Sequence, residues 1–160
     1  MKTITIESKF AVCQPDELEA GERDLVERAM RATGRSYAPY SSFHVGAAAL
    51  LADGSVIEGS NQENAAYPAA MCAERTALFY ANSEHPDVPV VKLAVAAWTG
   101  GKFVDDPVPP CGVCRQAMLE VEARAGSPLR ILMVGARHVY VCDGVANLLP
   151  LSFAAKNMGM

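Results

Sequence analysis

The sequence predicts an α/β fold, a mixed sheet of about five strands with helices on its faces. Two observations predict it. The elements legible in the chain run helix, hairpin, helix, strand, helix, strand, strand. A hairpin followed by strands that alternate with helices calls for a sheet of mixed direction. Val90 to Trp98 is also an unbroken apolar run, which suits a central strand covered on both faces.

Residues 1–12 read as a short strand or arm, because Met1 to Ser8 alternates apolar with polar. From Pro15 to Thr33, Leu18, Leu25, Val26, Ala29 and Met30 fall at the spacing of an amphipathic helix, with acids near its start. Tyr37-Ala38-Pro39-Tyr40-Ser41-Ser42 is a loop by composition. Val45 to Leu51 and Val56 to Ser60 form a hairpin turned at Asp53-Gly54. Met71 to Ala81 is rich in Ala, Glu, Arg and Leu and reads as a helix. Pro86 to Pro89 ends it, and the apolar strand from Val90 follows. A Gly- and Pro-rich loop spans Gly100 to Pro110, and a second good helix, Gly112 to Ala125, stops at Gly126-Ser127-Pro128. Leu129 to Val134 and His138 to Cys142 complete the strands.

The 160 residues are expected to form one domain, 1–160, and 51% of them are hydrophobic, enough to bury a core. No apolar run approaches the roughly 20 residues of a membrane span, and the N-terminus lacks the apolar block of a signal peptide. A cytoplasmic protein is expected, with no membrane partner. Net charge is −4 and the basic residues are scattered, so the basic stripe of a general nucleic-acid binder is absent. Five irregularly spaced cysteines favour metal binding over a disulfide framework.

The chemistry sits in two motifs, Cys72-Ala73-Glu74-Arg75 and Pro110-Cys111-Gly112-Val113-Cys114-Arg115-Gln116. Three thiolates leave a tetrahedral zinc one open position, and a carboxylate beside that position can move protons. Both motifs fall where a loop becomes a helix, and free N–H groups with the positive dipole end favour thiolates there. Three thiolates overcompensate the ion's charge. Arg75 is placed to hydrogen-bond the sulfurs and withdraw some of it, and Arg115 is a second candidate for that role. The motifs also admit plainer readings. A C-x-x-C pair serves redox sites and zinc ribbons, Cys13 or Cys142 as a fourth ligand would make the site structural, and Glu74 would then be an ordinary helix residue.

Together these motifs resemble the cytidine deaminases, specifically the small zinc-dependent type with three cysteine ligands. The resemblance extends to Tyr40-Ser41-Ser42-Phe43-His44-Val45-Gly46-Ala47-Ala48, to Asn61-Gln62-Glu63-Asn64-Ala65-Ala66-Tyr67-Pro68 and to Leu148-Leu149-Pro150-Leu151-Ser152-Phe153. It implies a three-layer α/β/α arrangement, Zn2+ on Cys72, Cys111 and Cys114, and Glu74 as proton shuttle for hydrolytic deamination at C4 of cytidine and deoxycytidine in pyrimidine salvage. The backbone around Ala73 would bind the pyrimidine edge, Asn61 and Glu63 the ribose 3′-hydroxyl, and Phe43 would lie against the ring. Tyr67 and Phe153 match positions that neighbouring subunits contribute in a homotetramer. Glu63 would repel a phosphate, favouring free nucleosides over nucleotides or nucleic acid. Gln62 and Ala66 depart from the family's usual residues, residues 1–14 extend beyond its core, and 154–160 are unaligned. The alternative is a deaminase of another cytosine nucleoside such as blasticidin S, a group that lacks the Asn61–Asn64 loop. A non-catalytic zinc-stabilised binding module is a further reading, and it needs a fourth protein ligand.

Overall fold

Apolar residues alternate strictly between the two sides of the central strands, so both sides must be covered, and helices cover them. The computed structural model describes residues 1–159; the last residue of the expected 1–160 domain and 154–160 tail lies outside the described residues. Seven strands form one sheet: β1 (Ala11–Cys13), β2 (His44–Leu51), β3 (Val56–Ser60), β4 (Val90–Thr99), β5 (Lys102–Phe103), β6 (Arg130–Val134) and β7 (Val139–Asp143). Their order is β1-β7-β6-β4-β2-β3, with β5 folded back onto β4. Among the described residues β4 and β6 are the one parallel pair of strands, joined through α3 (Gly112–Ala125) as a parallel pair requires. The other helices are α1 (Ala20–Ala32) and α2 (Ala73–Glu84).

Ala47, Ala49, Leu93, Val95, Ile131 and Met133 point to the side of α2 and α3. Ala48, Ala94, Ala96, Leu132 and Val134 point to the side of α1. The three-layer α/β/α arrangement follows, with β4 central as its apolar run demands. The alanines let helices come close. At two strand positions even alanine is too large: a Cβ on Gly46 would stand 2.1 Å from the Ala29 carbonyl oxygen of α1, and one on Gly59 2.6 Å from the Ala73 carbonyl oxygen of α2. Gly59 therefore sets how deeply the first turn of α2 seats on the sheet.

The expected count of about five strands becomes seven. β1 and β5 are three and two residues long, too short to show a period-2 pattern, and only their partners β7 and β4 define them. The alternating stretch Met1 to Ser8 makes no strand, since an isolated strand has no partner for its backbone groups. The first helix also starts later than its periodicity implies. Pro15–Glu17 form a separate 3-10 turn, and extended Leu18 and Glu19 intervene before Ala20. The third helix agrees with its expected limits, ending at Gly126 with φ +64°, a left-handed cap that glycine adopts without strain.

Candidate metal centre and cleft

Two helix N-termini meet at one place because α2 and α3 lie on the same face of the sheet. Cys72 is the N-cap of α2 and Cys111 the N-cap of α3, both with extended backbone (φ −75°, ψ 152° and φ −66°, ψ 163°). Cys114 is the third residue of α3 and fully buried. The three sulfurs lie within 4.8 Å of one another, Cys72 Sγ and Cys111 Sγ being 3.9 Å apart. Among the described residues no other group of three or more His, Cys, Asp or Glu donors is close enough to share an ion.

The donor chemistry fits Zn2+. Three sulfurs with no fourth protein donor suit this ion over the hard cations, and leave one position for another ligand. Cys13 lies on β1 with its thiol turned to the Val139 carbonyl, and Cys142 is buried in β7. Neither joins the cluster, so the fourth-ligand reading is not supported. Within the cluster the thiol protons are unevenly held. Hydrogen bonds from Cys114, Arg75 and Cys111 pull Cys72 down to about 5 against the opposing effect of burial. Cys114 is pushed up, first by its hydrogen bond to Cys72 and then by burial.

Arg75 Nη2 donates to Cys72 Sγ at 3.7 Å, as its position one turn along α2 permits. Arg115 does not reach the sulfurs. Its Nε donates to the Pro110 carbonyl and its Nη1 to the Leu148 carbonyl, both at 2.7 Å, which corrects the expectation of Arg115 as a second candidate for the role of Arg75.

The sulfurs of Cys72 and Cys111 open onto a cleft of about 640 Å³. Glu74 lines it although only 5% exposed, and burial raises its pKa above the ordinary carboxylate value, with the Cys72 charge adding to the shift. Phe43, Asn61, Glu63, Tyr67 and Ala73 line the same cleft. Five distant stretches of sequence thus converge: the 41–45, 61–63, 67–75 and 108–113 segments carry the polar and sulfur groups, and Val45 of the first joins Val95 of β4 as an apolar floor.

The loop after β3 is stitched at both sides. Glu63 N–H donates to the Tyr37 carbonyl, and Gln62 exchanges both backbone bonds with Met71. Gln62, which departs from the family's usual residue, sends its amide to Ser60 Oγ at 3.2 Å. Asn61 bridges the start of β2: its Oδ1 accepts from Val45 N–H at 2.8 Å and its Nδ2 donates to the Phe43 carbonyl at 2.9 Å. One lone pair and one N–H of its amide remain for a ligand. Glu63 accepts from the Ser41 hydroxyl and from Tyr40 N–H, and these bonds hold its carboxyl below the usual range. Ser41 is the residue sequence reasoning missed here. It stood inside a quoted motif, but nothing in that motif points to Glu63 as its partner.

Tyr67 is 76% exposed at the cleft rim. Phe153 is 60% exposed and does not line the cleft of its own chain; Gln116 Nε2 holds its carbonyl at 2.9 Å.

Residues 20–126 match the family model of the cytidine and deoxycytidylate deaminase zinc-binding region. The cytidine deaminase of Halalkalibacterium halodurans is 44% identical over 134 residues, spanning 84% of this chain and 95% of the relative. Among solved structures, the cytidine deaminase of Burkholderia pseudomallei superposes with a TM-score of 0.70 at 39% identity, covering 81% of this chain and 97% of that one. That of Mycobacterium tuberculosis gives 0.66 at 34% identity, covering 85% and 99%.

Proposed function

The chain belongs to the cytidine and deoxycytidylate deaminase family, and from that premise we propose that it deaminates cytidine and deoxycytidine hydrolytically. The products are uridine or deoxyuridine and ammonia, and the setting is pyrimidine salvage. The observation that carries this reading is the presence of a buried carboxylate, Glu74, and a three-sulfur cluster in one cleft. Zinc on Cys72, Cys111 and Cys114 would supply the electrophile that activates a water for attack at C4.

Glu74 then accepts a proton from the attacking water and passes it to N3, and afterwards carries the second proton from the new C4 hydroxyl to the departing ammonia. Its seclusion supports this, because a carboxyl kept from bulk water exchanges its proton with the substrate rather than with solvent. Arg75 draws negative charge from the Cys72 sulfur and so preserves the electrophilicity of the site. The backbone at Ala73 meets the pyrimidine edge, and Phe43 lies against the ring. The free lone pair and N–H of Asn61 and the ionised Glu63 take the 3′-hydroxyl. The charge on Glu63 opposes a phosphate and favours free nucleosides over monophosphates.

The single-domain, cytoplasmic homotetramer implied by the family belongs to this proposal. The exposure of Tyr67 and Phe153 supports it, since aromatic side chains left in water on one chain are available to a neighbour's cleft. Among the described residues no helix is long and apolar enough to cross a membrane. The test is ammonia release from zinc-loaded protein with cytidine, deoxycytidine, CMP, cytosine and blasticidin S. Turnover of the two nucleosides, with little on CMP or free base, is expected. Silence on both nucleosides would refute the proposal, and turnover of blasticidin S alone would transfer it to the alternative substrate.

A further inference from the structure

Cys111 is the most exposed of the three thiols and its side chain caps nothing, so packing does not hold it. Its position depends on the peptide that precedes it. That peptide lies in a stretch held by packing rather than by main-chain hydrogen bonds: Pro107 and Pro110 are buried, Pro107, Pro109 and Pro110 carry no N–H, and among the described residues no main-chain hydrogen bond holds 107–110. The Pro110 carbonyl is the handle that remains, and Arg115 Nε takes it at 2.7 Å. Arg115 also sends its own N–H to the Cys111 carbonyl at 3.0 Å. One residue therefore closes two rings around the Cys111 backbone.

The other arm of the same guanidinium, Nη1, holds the Leu148 carbonyl at 2.7 Å. Next to Leu148, Asn147 accepts the Lys9 N–H on its Oδ1 at 2.8 Å, which ties in the N-terminal extension. Phe10 and Val12 of that extension wall a groove of about 400 Å³ together with Pro109, Arg115 and Leu148. Both guanidinium bonds are part-buried, where hydrogen bonds are stronger than in open water.

We propose that Arg115 is a positioning residue for the metal loop: its fork fixes the Pro110–Cys111 peptide against the Leu148 turn, and residues 9–12 brace that turn. This rests on the zinc-site reading above but not on the identity of the substrate. A fork is needed because two carbonyls on separate segments must be held at once in a fixed relation, which a lysine ammonium does not enforce.

The experiment measures zinc retention by the full chain, as the rate of zinc release to a colorimetric chelator. It also follows the thiolate-to-metal charge-transfer band after cobalt substitution. Arg115→Ala should release zinc about 10–100-fold faster, as loss of an outer-sphere partner does, and its cobalt band should shift. Added methylguanidinium, entering from the groove, should restore much of the retention. Arg115→Lys should resemble Arg115→Ala. Wild-type release by Arg115→Ala, wild-type release by Arg115→Lys, or fast release without chemical rescue would each overturn the proposal. If Arg115→Ala does not fold, Arg115→Lys decides alone. A wild type that holds zinc tightly but deaminates nothing would sink the proposed reaction and leave this inference intact. One that takes up no zinc would sink this inference too.

Discussion

Glu74 is a short side chain on the first turn of a helix, a place where carboxylates are usually wet. Here α2 seats so closely on β3 that the residue is buried at the floor of a cleft. Glu74→Gln keeps the shape and removes the proton acceptor, so zinc content should stay near one per chain while turnover falls about 10²–10⁴-fold. Measured by metal analysis and ammonia release, normal turnover in that variant would end its assignment as the shuttle. Cys114→Ala should lose the metal, because the remaining two sulfurs cannot hold zinc alone; full occupancy by metal analysis would point to another ligand set. At this scale residue types and offsets were legible and partners were not. Cys72, Glu74 and Cys111 announce themselves by spacing, whereas Arg115 adjoins a sulfur in sequence and turns away from it in space.

Helices α2 and α3 act as platforms whose N-termini carry the sulfurs, so their seating on the sheet controls the site. Gly59→Ala tests this. The added methyl meets backbone atoms of Ala73 and Ala77, 2.6 Å away, which cannot rotate aside. Overpacking of this kind costs about 3 kcal/mol, and the strain falls on the turn that carries Cys72 and Glu74. Both the melting temperature and the zinc-release rate should move; a variant with a lowered melting temperature and unaltered zinc release would show that the site tolerates movement of α2. Element limits were readable where periodicity is long, as in α3 and β4. They failed where a neighbour supplies the reason, as for β1, β5 and the late start of α1.

Across the whole molecule, one buried charge staples α1 to the sheet. Glu22 of α1 has a side chain only 3% exposed and accepts from Lys92 of β4 at 2.8 Å and from Arg130 of β6 at 2.6 Å. Burial alone would raise its pKa, but the two hydrogen bonds outweigh that and hold it below the ordinary 4.5. A lowered folded value means that the stabilisation is fully present above pH 4.5 and is lost as the pH falls through the folded value. Lys92 and Arg130 keep 26% and 35% exposure, so solvent screens part of the attraction. Glu22→Gln should then cost about 2 kcal/mol at pH 7, a drop in melting temperature of about 4–8 °C. The gap between variant and wild type should close in acid; an equal gap at pH 7 and pH 3 would show that the charge is not its source. At the same scale, sedimentation of the wild type should give a tetramer, and a monomer at micromolar concentration would remove Phe153 from the site and leave Tyr67 at the rim of its own chain's cleft alone.

The sequence by itself determined the class of fold, the longer elements, the metal chemistry and the family, because each of these is written in local patterns. Periodicity of two or three to four residues, cysteine offsets and helix-start residues depend on near neighbours alone. Only the tertiary structure decided the strand order, the burial of Glu74, the use of Asn61 as a bridge between Phe43 and Val45, and the true partners of Arg115. These rest on contacts between residues far apart in the chain, such as Arg115 with Leu148 and Glu22 with Arg130. No local pattern encodes such pairs, since hydrophobic burial selects the packing and the polar groups must then find partners among whatever it brings near.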